Sequence, residues 1–350
     1  MEKKIAVLPG DGIGPEVMEQ ALRTLKAIEK KYDFKFTYQD GLIGAVAIDE
    51  TGSALPDETI KICREADAVM LGAVGHPRFD NDPNAKVRPE QGLLRIRKEL
   101  GLFANIRPVA TYPLLYKTSP LKEELIKDVD FVVYRELTGG IYFGEKGRND
   151  DGTEAYDHCV YSANEIKRIA ELAFNTAMLR GNKLTLVDKA NVLETSRLWR
   201  DTVKKMAPLF PDVNVDFMFV DAAAMKIIQN PGYFDVILTE NMFGDIITDE
   251  ASVITGSIGM LPSASVGLNS ALFEPIHGSY PEGAGKNIAN PFGTILSAAL
   301  LLEHFEMLDA ARDIRNVVDK ALQEGIVTID INPGRYFSTS EVGDFVVDNL

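Results

Sequence analysis

The chain has 350 residues, 45% hydrophobic and 25% charged, with a formal net charge of -15 at pH 7. That length exceeds most single cores and predicts two domains, while the negative balance argues against non-specific binding to nucleic acid or to an anionic membrane. No run approaches the roughly 18 apolar residues of a membrane span, Pro9-Gly10 interrupts any signal-peptide core, and two cysteines, Cys63 and Cys159, exclude a disulfide framework or a cysteine zinc site. A cytoplasmic protein with reduced thiols is the expectation.

Ile5 to Leu8 predicts a buried strand, Gly10 to Gly14 a turn, and Pro15 the first turn of a helix with Val17, Ala21, Leu25 and Ile28 on its apolar face. Phe34, Phe36 and Tyr38 alternate at the strand period. A helix through Ile60 and Ile62 and the apolar run Ala68 to Leu71 continue an alternation that predicts a largely parallel, helix-covered sheet. After the strand Phe131 to Tyr134, residues 145–161 are rich in Gly, Asp and Asn without a helical period, which predicts a protruding hairpin. Ser162 and Glu165 form a capping box ahead of a helix through Ile166, Ile169, Ala173 and Ala177. Leu184 to Val187, Val213 to Val220 and Val236 to Leu238 read as strands separated by helices, and Thr294 to Phe305 and Ala310 to Leu322 as helices.

Directly after the last of those strands, Asp245 and Asp249 stand four residues apart, on one face of a helix. Like charges so placed oppose each other by roughly 0.2 to 0.5 kcal/mol unless a cation sits between them, and oxygen ligands suit Mg²⁺ or Mn²⁺. A capping Asp245 with a solvated Asp249 would explain the same spacing. Gly10-Asp11-Gly12-Ile13-Gly14 is one residue short of the Rossmann fingerprint; it fits either phosphate at a helix start or a tight turn. Around Lys286 a P-loop fails, because Tyr280 and Asn287 stand where Gly and Ser or Thr are needed. In His277 to Pro291, small residues permit close backbone approach to a ligand, and Glu282 could accept from ribose hydroxyls; a plain surface loop is the alternative.

Taken together, Gly10 to Glu16, Arg135 to Gly144, Asp188 to Val192, Asn241 to Asp249 and Glu274 to Pro291 resemble the metal-dependent β-decarboxylating dehydrogenases, the isocitrate/isopropylmalate dehydrogenase family. The likeness runs in the family's order from residue 4 to beyond residue 300. It implies an isocitrate/isopropylmalate dehydrogenase-like α/β fold, not a Rossmann fold, with two α/β domains and a large mixed sheet. Residues 1–102 with 256–350 would form a discontinuous cofactor-binding domain. Residues 103–255 would form the dimerisation, substrate and metal domain, with an arm near 145–161. It also implies a homodimer whose active sites are shared between subunits, with NAD and Mg²⁺ or Mn²⁺ as cofactors.

By the same resemblance the metal ligands are Asp245 and Asp249 with Asp221 of the partner subunit, Asp221 also lying by the substrate. Lys189 matches a catalytic lysine contributed by the other subunit, and Tyr142 matches the proton donor to carbon. Arg97, Arg107 and Arg135 match three carboxylate-binding arginines. Leu93 and Leu94, with Val192 of the partner subunit, match an apolar pocket for an isopropyl group. The implied reaction is NAD-dependent oxidative decarboxylation of 3-isopropylmalate in leucine biosynthesis, with tartrate, homoisocitrate or isocitrate as alternative substrates. Cofactor contacts fall on Glu90, His277, Gly278, Ser279, Glu282, Gly283, Ala284, Gly285 and Asn290. NAD-using relatives usually carry Asp where this chain has Glu282, and NADP-using ones carry Lys followed by Tyr. Glu282 keeps the charge that repels a 2'-phosphate, so NAD is expected. A non-catalytic regulatory subunit would have lost some of Tyr142, Lys189, Asp221, Asp245 or Asp249, and all are present.

Overall fold

A computed structural model describes residues 2–80 and 85–350. Its strands, in chain order, are β1 (Glu2–Gly10), β2 (Lys35–Asp40), β3 (Ala68–Ala73), β4 (Ala104–Ala110), β5 (Asp130–Glu136), β6 (Lys146–Arg148), β7 (Ala155–Asp157), β8 (Lys183–Asp188), β9 (Asn214–Phe219), β10 (Val236–Thr239), β11 (Pro262–Val266) and β12 (Ala271–Pro275). The chain divides into two compact units. The first comprises Met1–Leu102, Tyr112–Thr118 and Gly256–Leu350; the second comprises Phe103–Thr111 and Ser119–Thr255.

In the first unit the strand order is β2-β1-β3-β12-β11. All six residues of β3 are buried, the pattern of a parallel strand covered on both faces. Pro15 opens helix Gly14–Tyr32, which buries Val17, Ala21, Leu25 and Ile28 and ends at Asp33 in a left-handed conformation. Ala6, Leu8, Val69, Leu71 and Leu272 from the strands pack with Ile60, Ile62 and Ile96 from helices. Helix Phe292–His304 is apolar nearly all round and correspondingly buried. β11 pairs antiparallel with β12, Pro262 opposite Pro275, so this sheet is mixed. The small, proline-bounded sequence of these two strands carries no period-2 signal, and alternation did not reveal them.

The second unit orders its strands β4-β5-β10-β8-β9, parallel except for the antiparallel β4/β5 pair. Ser162 accepts from Glu165 N, and the Glu165 carboxylate accepts from Ser162 N, closing the capping box of helix Ala163–Leu179. Phe174 of that helix stacks on Phe210 with ring centroids 4.5 Å apart. Between residues 145 and 161, β6 and β7 pair as an antiparallel hairpin. No helix among the described residues is long and apolar enough to cross a membrane.

Candidate active site

β10 leads into helix Asn241–Ile254, and Glu240 caps it by accepting from Phe243 N at 2.8 Å. Asp245 is therefore inside the helix and caps nothing. One turn on, Asp249 lies on the same face, its side chain 71% exposed. Two strands bring cations to that face. Arg135, at the end of β5 and only 6% exposed, donates through Nη1 to Asp245, while its Nε and Nη2 donate to Asn241 Oδ1 at 3.2 and 2.9 Å. Arg107, on β4, donates through Nη1 to Thr248 Oγ1 at 2.6 Å and Asp249 at 3.4 Å. Its Nε donates to Asn105 at 2.7 Å.

Gly244 lets the arginine stem cross the helix: a Cβ there would lie 2.6 Å from Arg135 Cγ. Tyr142 closes the short turn Gly140–Tyr142, and its hydroxyl donates to the second Asp245 oxygen at 2.7 Å. Burial first, then that hydrogen bond, pushes its pKa up to about 12, so the phenol holds its proton.

Lys189, just past β8, donates to Asp221 in the first turn of helix Val220–Gln229. The hydrogen bond from Lys189 holds the Asp221 carboxyl below its ordinary range. Val192 nearby in sequence is 62% exposed. Among the described residues no three His, Cys, Asp or Glu side chains converge as a metal-ion site. Asp245 and Asp249 thus offer a two-carboxylate face, and Asp221 stands apart with Lys189.

In the first unit, helix Pro89–Glu99 carries Glu90, Leu93, Leu94 and Arg97. Arg97 Nη2 donates to Glu274 at 2.9 Å, both side chains being largely buried, and its buried Nε finds no hydrogen-bond partner among the described residues. Leu93 packs partly on the core, and Leu94 is exposed. Glu90 approaches Gly75, where a Cβ would come within 3.1 Å of its carboxylate.

The Gly10–Gly14 segment is a packed turn. Asp11 is buried and accepts from the backbone N–H groups of Ala45, Val46 and Gly75 at 2.8 to 3.0 Å, and Ile13 N donates to Ser279 O at 2.8 Å. Gly12 has φ +58°, and a side chain there would collide with Ser279 O, which accounts for the glycine without a phosphate. Beside this turn is a cavity of about 450 Å³ lined by residues that include Ile13, Ile258, His277, Gly278, Ala289 and Asn290. His277 Nδ1 lies 2.9 Å from Gly278 O, which makes Nε2 the acceptor; Nε2 is buried without a partner among the described residues, and burial lowers the imidazole pKa.

Asn290 has its amide engaged, Nδ2 donating to Asp330 and Oδ1 accepting from Phe292 N, each at 3.0 Å. Glu282, Gly283, Ala284 and Gly285 form the adjoining turn and are not among the cavity's lining residues. The Glu16 carboxylate holds that turn by accepting from Gly285 N and Asn287 N. The apolar lining from Ile258 and Ile329, and the carboxylate Glu274, were missed by sequence reasoning. Glu274 opens the segment Glu274 to Pro291, but nothing local marks it as the partner of an arginine 177 residues away.

Paired carboxylates and forked cations share one helix face. Residues 4–346 match the isocitrate/isopropylmalate dehydrogenase family, and the chain belongs to it. It is 54% identical to a 3-isopropylmalate dehydrogenase of Bacteroides fragilis, covering 100% of this chain and 99% of that one. It is 55% identical to that of Desulfitobacterium hafniense, covering 99% of each. Among solved structures, an isocitrate dehydrogenase from Methylococcus capsulatus superposes with a TM-score of 0.87 at 31% identity, over 99% of each chain. A β-decarboxylating dehydrogenase from Thermococcus kodakarensis gives 0.82 at 37%, over 99% of this chain and 96% of that one.

Proposed function

We propose that the chain is an NAD-dependent, divalent-metal-dependent dehydrogenase that oxidises and decarboxylates 3-isopropylmalate to 4-methyl-2-oxopentanoate and CO₂ in leucine biosynthesis. The observation that carries this reading is the face built by Arg135, Tyr142 and Asp245, with Arg107 and Asp249 one turn on. It combines forks for carboxylates, a phenol that retains its proton, and oxygen donors for a divalent ion. The identity with 3-isopropylmalate dehydrogenases over the whole chain supports the choice of substrate within the class.

Arg97, Arg107 and Arg135 bind the carboxylates, bidentate guanidinium contacts fixing the acid's orientation. Lys189 of the partner subunit takes the proton of the substrate hydroxyl, and Tyr142 returns a proton to carbon after CO₂ leaves. Leu93, Leu94 and Val192 of the partner subunit give the isopropyl group an apolar wall, worth about 1–3 kcal/mol per methylene in discrimination. Asp245 and Asp249, with Asp221 of the partner subunit, would hold Mg²⁺ or Mn²⁺. When bound, NAD supplies a hydride acceptor and the divalent ion supplies stabilisation of negative oxygen.

The cavity fits an adenine-like base: its walls are largely apolar, and the buried Nε2 of His277, unpartnered among the described residues, would accept from an exocyclic amine. Glu90, Gly278, Ser279, Glu282, Gly283, Ala284, Gly285 and Asn290 are assigned to the same cofactor. The exposed apolar residues Met225, Ile228, Ile246 and Val253, on helices Val220–Gln229 and Asn241–Ile254, support a homodimer. The test is NADH production with Mg²⁺ on 3-isopropylmalate, isocitrate and tartrate. Turnover of the first is expected, and turnover of only the others would overturn the substrate assignment.

A further inference from the structure

Asn241 is 2% exposed, and the reaction outlined above gives it no part. Its amide joins two pieces of the site. Oδ1 accepts from both Nε and Nη2 of Arg135, which fixes the guanidinium along one edge and turns Nη1 toward Asp245. Nδ2 donates to Gly139 O at 3.3 Å, immediately before the turn that carries Tyr142.

The backbone behind it is also fixed. Asn241 N donates to the Tyr161 hydroxyl at 3.0 Å, and that hydroxyl donates to Glu240 Oε2 at 3.0 Å. The Tyr161 ring fills the space beside Gly139, where a Cβ would lie 2.6 Å from Cε1, and crowds Gly140 as well, which has φ +73°. On the far side Glu136 accepts from Thr138 N and Gly139 N at 2.9 and 2.7 Å.

We propose that Asn241 is a positioning residue, seated by Tyr161 and Glu240, that orients Arg135 toward substrate carboxylate and holds the turn of Tyr142. The proposal rests on the function given above. Its physical content is that a neutral amide holds the guanidinium without adding a second counter-charge to that of Asp245. A carboxylate in the same place would keep the geometry toward Arg135 and compete with the substrate for its charge.

The experiment compares Asn241→Ala and Asn241→Asp with the wild type. It reads KM and kcat for 3-isopropylmalate, KM for NAD, the melting temperature, and the affinity for malate by calorimetry. Asn241→Ala is expected to raise substrate KM about tenfold or more and to lower kcat, as loss of charge-assisted hydrogen bonds does, with KM for NAD within about twofold. Asn241→Asp, although nearly isosteric, is expected to weaken malate and raise substrate KM at least as much as Asn241→Ala. A role confined to packing lowers the melting temperature of both variants while leaving substrate KM and malate affinity within about twofold of the wild type, and that result overturns the proposal. Absence of 3-isopropylmalate turnover in the wild type counts against the function, while malate affinity still ranks the variants. Failure of the wild type to bind malate overturns the proposal too.

Discussion

The guanidinium of Arg135 and the carboxylate of Asp245 form an ion pair that is buried on one side and open on the other, with side-chain exposures of 7% and 37%. The two partners therefore respond differently to loss of the other. Asp245→Asn leaves a buried guanidinium without this counter-charge and should cost about 1–3 kcal/mol, less than a fully buried pair because the carboxylate is partly solvated. Asp249→Asn, on an exposed side chain, should change stability by less than about 0.5 kcal/mol. Both should lose nearly all turnover. Urea unfolding beside NADH assays separates the effects, and equal stability losses would contradict the assigned burial.

Gly244→Ala places a methyl against the Arg135 stem. Overpacking of this kind costs about 1–3 kcal/mol and forces the guanidinium to shift. The expected outcome is a rise in substrate KM with KM for NAD unchanged, measured by initial rates on the folded variant.

Shared sites predict complementation. Lys189→Ala and Asp245→Asn homodimers should each be nearly inactive, but their heterodimer regains one intact site. Random exchange should then restore about one quarter of wild-type activity, as half the dimers are mixed and each has one working site of two. If mixed, refolded subunits stay inactive, Lys189 and Asp245 serve the same site from one chain.

Glu282→Lys replaces the charge that repels a 2'-phosphate with one that attracts it. Relative kcat/KM for NADP over NAD should rise about tenfold or more. Unchanged cofactor kinetics would remove Glu282 from the cofactor site.

Acid should weaken both the fold and its cofactor. Burial lowers the His277 pKa from its ordinary 6.5, so the unfolded chain binds this proton more readily. The contribution is complete above pH 6.5 and is lost as pH falls through the lowered folded pKa. The melting temperature of His277→Gln should depend less steeply on pH between about 5 and 7, by thermal melts in matched buffers. Protonation of the folded imidazole also removes the acceptor at Nε2, so NAD affinity should fall as pH drops through that lowered pKa.

Much of the framework is a local property of the chain. Val17, Ala21, Leu25 and Ile28 repeat at the helical period, Ser162 and Glu165 cap, and Ala68 to Leu71 are apolar throughout. Each pattern specifies its element because burial and backbone hydrogen bonding act within a few residues. Asp245 and Asp249 were legible for the same reason, one helical turn fixing them on one face.

Only the folded chain decides what meets that face. Arg135 reaches Asp245 across 110 residues and Arg97 reaches Glu274 across 177. The antiparallel pairing of β11 with β12 likewise follows from packing that their small residues do not encode. Such pairings depend on strand order and register, which are set when apolar faces from distant segments are buried together. The sequence by itself determined the helices marked by a clear period or cap, most strands and the spacing of the two aspartates. Tertiary structure decided that Arg135, Tyr142 and Asn241 gather around them, because a buried guanidinium is stable only where the fold brings it acceptors.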